Sequence, residues 1–331
     1  MSLMSSVGRT QVLALAARHT LDPEQTAALS ALAGIDTPPE HLAARARRVA
    51  AVLAAGLFGF GLLLWIAANW ASIPRLGRFA MLEGLIVLVC LGAWLKPAAR
   101  SALLLLAFFA VGGLFAFFGQ TYQTGADAWQ LFALWAVLTL PMAWAARSDV
   151  LWSPWILVTM SAVSLWVSAH TGWRWNITHE AVRVHYLGWA CAAGLVGAAG
   201  PWSPIARAGG IGVWSLRTAA TLGCLLLLSV SVPTLFGHET LLAYFVALLV
   251  CGTTMAAMWR SASGDVYLMS MVGLTLDILL ICGLVNVFFD WRSNAIGSFF
   301  IVGILSAAVV GLTIWAVMSK VQRDAQTEAA R

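Results

Sequence analysis

The sequence predicts an all-α, polytopic membrane protein of about ten transmembrane helices, on three observations. Long apolar runs separated by short polar breaks fill the chain after residue 48. Hydrophobic residues make up 61% of the chain and charged residues only 10%, against roughly 25% charged in soluble domains. The runs are also the right length, since a helix needs about 20 residues to cross ~30 Å of hydrocarbon. Barrel strands are excluded, because they alternate over only about 10 residues.

The elements follow in order. Residues 1–48 precede the first apolar run and form a small helical region, expected on the cytoplasmic side. A short helix around 8–18 carries Val12, Leu13 and Leu15. Asp22-Pro23-Glu24-Gln25 is a helix start: Asp22 caps, Pro23 takes the first helical position and Gln25 reaches back. Gly34 suits the stop. Thr37-Pro38-Pro39-Glu40 repeats the start signal, and the helix it opens runs through the arginines into the first span. Such small apolar faces build little core, so this region either caps the membrane domain or docks a partner protein.

The membrane domain is expected over 49–319, followed by a cytoplasmic tail, 320–331. Its spans are read at 49–70, 78–96, 101–119, 128–146, 150–169, 184–200, 213–235, 240–259, 266–288 and 296–319. The span at 184–200 is the shortest and is rich in Gly and Ala. Pro141, Pro154 and Pro233 lie within or near span ends and should bend them. Tryptophans near span ends, such as Trp70, Trp94 and Trp129, suit interfacial belts. Trp135, Trp166, Trp189 and Trp315 lie deeper and should fill helix contacts. Cys90, Cys191, Cys224, Cys251 and Cys282 fall singly inside spans, so no disulfide or zinc framework is implied.

Charge sets the topology. The chain carries 19 Lys+Arg against 14 Asp+Glu. With the N-terminus inside, Arg45, Arg47, Arg48, Lys96, Arg100, Arg147, Arg207, Arg217, Arg260, Lys320 and Arg323 fall on the inner side. Arg75, Arg78, Arg174, Arg183 and Arg292 fall on the outer side. This is the positive-inside bias, and ten spans return the C-terminus to the cytoplasm. The net charge of +5 therefore calls for a lipid bilayer as partner and for no nucleic acid. The first apolar run starts near Val49, too late for a cleavable leader, so a bacterial inner-membrane location through an uncleaved first span is expected.

Two acids stand out inside spans, where a charge costs about 2.5–3.5 kcal/mol. Asp277 lies mid-span, with Ser270 and Gly273 preceding it at helical spacing, so its face should turn into the bundle. No Lys or Arg lies at its depth, which favours its neutral form. Glu83 lies about a turn and a half inside the outer end of its span, near Arg75 and Arg78. Each acid is either a protonatable coupling site or a buried group holding helices together. At the outer face Asn69, Trp70, Arg75, Arg78, Gln120, Tyr122, Gln123 and Asp127 concentrate. Amides, a phenol and arginines beside indoles suit a small polar solute or a lipid headgroup, and equally suit interfacial anchoring.

Enzyme signatures are absent. There is no GxxxxGK[ST] loop and no GxSxG elbow. His179-Glu180 and His238-Glu239 lack the second His of HExxH, with Arg183 and Leu242 in its place. His170, His179, His185 and His238 all fall on the expected outer side, where headgroup contact is the default. No metal or cofactor is expected.

Two stretches are distinctive: GLLLWIAANWASIPRLGRFAML at 61–82 and FFGQTYQTGADAWQLFALWAVLTLPMAW at 117–144. They resemble a family of bacterial predicted membrane proteins known only as a domain of unknown function, over roughly residues 45–170. The resemblance rests on Ala68-Asn69-Trp70, Ile73-Pro74-Arg75, Gly119-Gln120-Thr121-Tyr122 and Gly125-Ala126-Asp127. The last departs from the family's Gly-Asp pair by one inserted alanine. The resemblance implies a topology class, no activity and no catalytic residue. Three functions remain open: a permease-like protein for a small polar or lipid-like solute, with proton-linked acids; a non-transport subunit or scaffold docking through residues 1–48; and a membrane enzyme acting on lipid or envelope precursors.

Overall fold

The computed structural model of the chain describes residues 12, 14–32, 42–68, 74–122, 125, 127–172, 179–237, 241–261, 265–289 and 295–329. Two compact units divide it, residues 1–54 and 55–331.

In the first unit a helical stretch at 14–18 precedes α1 (Pro23–Leu32). The Asp22 N–H donates to Gln25 Oε1 at 3.2 Å, so Gln25 reaches back as expected. Gly34 and Thr37-Pro38-Pro39-Glu40 lie outside the described residues. α2 (Leu42–Ala68) supplies residues to both units.

The second unit continues with α3 (Arg75–Leu95), one turn of 3₁₀ helix at Pro97–Ala99, and α4 (Arg100–Tyr122). Then come α5 (Ala128–Ala146), α6 (Asp149–Thr171), α7 (His179–Ala199) and the short α8 (Pro204–Gly209). α9 (Val213–Gly237), α10 (Leu241–Arg260), α11 (Val266–Phe288) and α12 (Ala295–Ala329) complete it. A helix stands at each of the ten expected spans. Among the described residues, eight are long and apolar enough to cross a membrane, all but α2 and α7. α7 is diluted by Arg183, His185 and its Gly-Ala content. α12 continues past the expected end of its span, turning the start of the expected tail into helix as far as Ala329. Helices are what a bilayer demands, because each backbone group must find its partner within the protein.

Short connections make sequence neighbours pack: α3 on α4, α4 on α5, α5 on α6, α10 on α11 and α11 on α12. α9 is the hub, packing on α6, α7, α10 and α11. One apolar cluster joins Ile156 and Met160 of α6, Ala192 and Ala199 of α7, and Leu216, Ala219 and Leu226 of α9. Another joins Leu235 of α9, Tyr244, Ala247 and Cys251 of α10, and Val272 and Leu279 of α11. Small residues at these seams let backbones approach, which matters where lipid removes the hydrophobic drive to associate. Pro141, Pro154 and Pro233 lie inside α5, α6 and α9, where each removes one backbone hydrogen bond.

Candidate functional site

The expected outer cluster is in part brought together. Arg75 is the first residue of α3 after its Pro74 cap, and Arg78 lies one turn on. The Arg75 guanidinium lies 5.2 Å above the Tyr122 ring, and its Nη2 donates to the Thr121 carbonyl at 3.3 Å. Arg78 lies 5.8 Å from the Phe117 ring. Phe79 packs at 4.5 Å on Phe117, and Phe118 at 4.8 Å on Tyr122. Cation–π contacts of this kind are worth about 0.5–1 kcal/mol where exposed, so they orient the guanidinium more than they stabilise the fold.

Beside these contacts runs a groove of about 580 Å³, lined by Leu76, Phe79, Ala80, Glu83, Leu114, Phe115, Phe118 and Tyr122. Glu83 is thus exposed within an apolar wall. Gln120 is exposed nearby in sequence. Asp127 is the N-cap of α5, yet its side chain makes no capping bond. Asn69, Trp70 and Gln123 lie outside the described residues.

Asp277 is 5% exposed. The Thr313 hydroxyl of α12 donates to its Oδ1 at 2.6 Å. The small neighbour expected from spacing is there: a Cβ on Gly273 would sit 2.6 Å from Thr313 Cγ2. Asp277 therefore faces α12 through a hydrogen bond that local spacing did not reveal. Ser270, by contrast, is exposed and bonds its own helix at the Val266 carbonyl.

The histidines separate. His170 is exposed, and its Nδ1 donates to the Trp166 carbonyl at 2.8 Å. His185 is 9% exposed, and its Nδ1 has no hydrogen-bond partner among the described residues. His185 thus sits inside the bundle rather than at the headgroups. His238 and the side chain of His179 lie outside the described residues. Among the described residues no three His, Cys, Asp or Glu side chains group as a metal site requires. Of the deeper tryptophans, Trp135 donates to the Phe108 carbonyl at 3.0 Å and Trp189 to Leu226 at 3.4 Å. Trp315, 64% exposed, fills no core.

The strongest polar structure lies at the other end of the bundle, and local sequence reading missed it. Asp149, at the start of α6, reaches the N-terminus of α9. Its Oδ1 accepts from the Gly212 and Ser215 N–H groups, both at 3.0 Å, and from the Ser215 hydroxyl. Its Oδ2 accepts from the Trp214 N–H at 2.8 Å. A carboxylate there satisfies unpaired donors and the positive end of the helix dipole. Trp152 donates to the Gly209 carbonyl at 2.8 Å. Gly210 has φ +67° and lies against Arg147, whose carbonyl oxygen would be 2.7 Å from a Cβ, so only glycine fits. Nearby, Arg217 and Asp265 form a two-pronged ion pair, with both N···O distances 3.1 Å. Arg217 also stacks on Trp214 and Tyr267, at 5.1 and 5.2 Å. Lys320 donates to the Ser261 carbonyl at 2.5 Å and pairs with Asp324 at 2.9 Å. These contacts place Arg147, Arg217 and Lys320 at one end, the basic end, where Arg260 precedes Ser261.

The segment holding the groove, from α1 to the start of α6, can be compared with known families. Residues 14–152 match the family model of predicted membrane proteins of unknown function, DUF2157. The match begins earlier and ends earlier than the resemblance read from the two motifs. It takes in Arg75, Glu83, Tyr122 and Asp149, and leaves Asp277 and the whole of α7 to α12 outside. No curated protein and no solved structure matches the chain.

Proposed function

We propose that the chain is a permease-like protein of the bacterial cytoplasmic membrane that binds an amphiphile with an anionic headgroup. The α3–α4 groove carries this reading: apolar walls, a guanidinium against Tyr122 at its rim, and one carboxylate inside. Aromatic and aliphatic walls suit a hydrocarbon tail, and arginine forks suit phosphate or carboxylate. Glu83 is a protonatable group in the ligand's path. Asp277, bonded to Thr313 and shielded from water, is a second. An acid that loads a proton in one state and releases it in another links movement to pH. The positive-inside bias orients the basic end toward the cytoplasm and the groove outward.

The test uses the full chain and dodecyl phosphate as probe. The Arg75→Gln/Arg78→Gln variant should weaken binding about tenfold, the loss of roughly one strong charge-assisted contact. Unchanged binding refutes the amphiphile reading. In vesicles Asp277→Asn should abolish pH-driven movement while preserving expression; retained coupled flux refutes the proton link.

A second reading draws on the first unit. α1 buries none of its residues, and Leu32 is 87% exposed. In that reading residues 1–48 dock a partner protein. Deleting them should remove a co-purifying protein and leave the membrane helices folded; an unchanged set of co-purifying proteins refutes it.

A further inference from the structure

A second groove, of about 600 Å³, lies between α10 and α12, with α11 packed against both helices. Its apolar lining is Gly252, Met255 and Ala256 of α10, Leu276 of α11 and Ala316 of α12. The volume falls within the roughly 300–1,000 Å³ of small-molecule sites. At the basic end two side-chain contacts link α10 and its end to α12. There Trp259 stacks on Trp315 at 6.5 Å, and Lys320 bonds the Ser261 carbonyl. Arg260 and Trp259 line that end of the groove.

We propose that this groove seats one phospholipid with an anionic headgroup, drawn from the leaflet at the basic end, with its phosphate on Arg260 and an acyl chain along Gly252, Met255 and Leu276. Charge complementarity selects this occupant. Arg260, Lys320 and Arg323 all lie at this end, where Asp324 pairs with Lys320. The Arg323 guanidinium lies 5.0 Å over Trp259, and Lys320 is held by Asp324. Arg260 donates through Nη1 to its own helix, at the Ala256 carbonyl, at 3.4 Å. That long bond leaves further guanidinium donors for phosphate. Trp259 and Trp315 supply the amphipathic rings that sit at headgroup level. Basic pockets between helices on the cytoplasmic side recognise anionic lipid heads on this principle. The site is separate from the α3–α4 groove and stands whether or not that groove binds an amphiphile.

Native mass spectrometry of the full chain tests it, with dioleoylphosphatidylglycerol and dioleoylphosphatidylcholine offered in equal amounts. The wild-type chain should retain one phosphatidylglycerol in preference, by about fivefold, the effect of one cationic residue near a membrane surface. Arg260→Gln should bring the preference close to one. Gly252→Phe tests the apolar part alone. Gly252 lines the groove, and a Cβ there meets nothing within 4 Å, so the added side chain starts in open space. It should expel the lipid and leave the unfolding temperature unchanged. Retention unaffected by Gly252→Phe overturns the proposal, because charge at the surface would then suffice. So does a preference that survives Arg260→Gln, a wild-type chain that retains no lipid, or a loss seen with Arg75→Gln instead, which places the lipid in the other groove.

Discussion

The Asp149 joint invites a quantitative test. Replacing Asp149 with Ala removes the acceptor for three backbone N–H groups and one hydroxyl at the start of α9. Hydrogen bonds to a charged group are worth about 1.5–3 kcal/mol each. Asp149 is only half-buried, so water replaces part of the loss. A lost cap costs about 0.5–2 kcal/mol, and the helix dipole adds up to about 2. Together these place Asp149→Ala near a loss of about 3 kcal/mol. Gly212 offers the control. A Cβ there would lie 2.6 Å from Asp149 Oδ2, so Gly212→Ala must push the carboxylate from its donors, at about 2 kcal/mol. With Ala at 149 the obstructing oxygens are gone. The double variant should then cost about 3 kcal/mol rather than about 5, a coupling of about 2 kcal/mol. Denaturant unfolding in bicelles measures all four corners of the cycle. Additive losses, with coupling under about 0.5 kcal/mol, refute the placement of the carboxylate against Gly212.

Other predictions follow the same logic. The Arg217–Asp265 pair is 28% and 21% exposed, so Arg217→Gln should cost only about 1 kcal/mol. Asp265→Ala should cost about 1 kcal/mol more, because Asp265 also accepts from the Tyr267 N–H at 2.9 Å and caps α11; equal losses contradict that. Thr313→Val should cost about 1 kcal/mol by removing the donor to Asp277, whereas Thr313→Ser keeps it. Gly273→Ala should destabilise in the native background and be rescued by Thr313→Ser, which lacks the methyl that its Cβ would meet; unfolding of the pair checks this. Gly283→Ala places a methyl on the Tyr244 hydroxyl, which donates to the Leu279 carbonyl at 2.8 Å. Tyr244→Phe should make that alanine harmless, read by the same unfolding measurement.

What was legible in the sequence follows the range of the physics. Apolar runs and caps are local, so the helices, the Asp22–Gln25 contact and the inward turn of Asp277 could be read from neighbouring residues. Arg75 meets Tyr122 close to expectation because one helical hairpin joins α3 to α4. Asp149, Asp265 and Thr313 were missed for a common reason: their partners lie 63, 48 and 36 residues away. No spacing rule connects such positions, and one carboxylate at a helix start reads as an ordinary first-turn acid. His185 falls in the expected span 184–200, near its outer end, and was read as a headgroup contact because position along a span does not say that its ring turns into the bundle. Trp315 makes a helix contact, stacking on Trp259, yet stays 64% exposed, because depth in a span does not say how far a contact buries a ring.

The reach of the Asp149 joint also bears on how the chain is made. Its carboxylate leaves the ribosome 63 residues before the first of its donors, Gly212. Until α9 is synthesised the α5–α6 hairpin holds an acid whose partners do not yet exist. Insertion of the early helices and their final locking are therefore separate events. The arrival of α9 brings together α6 and α7, the earlier helices that it packs on, and offers the surface on which α10 and α11 pack when they follow. A nascent chain halted before residue 212 should accordingly be the preferred target of membrane proteases, and one released after α9 should escape them.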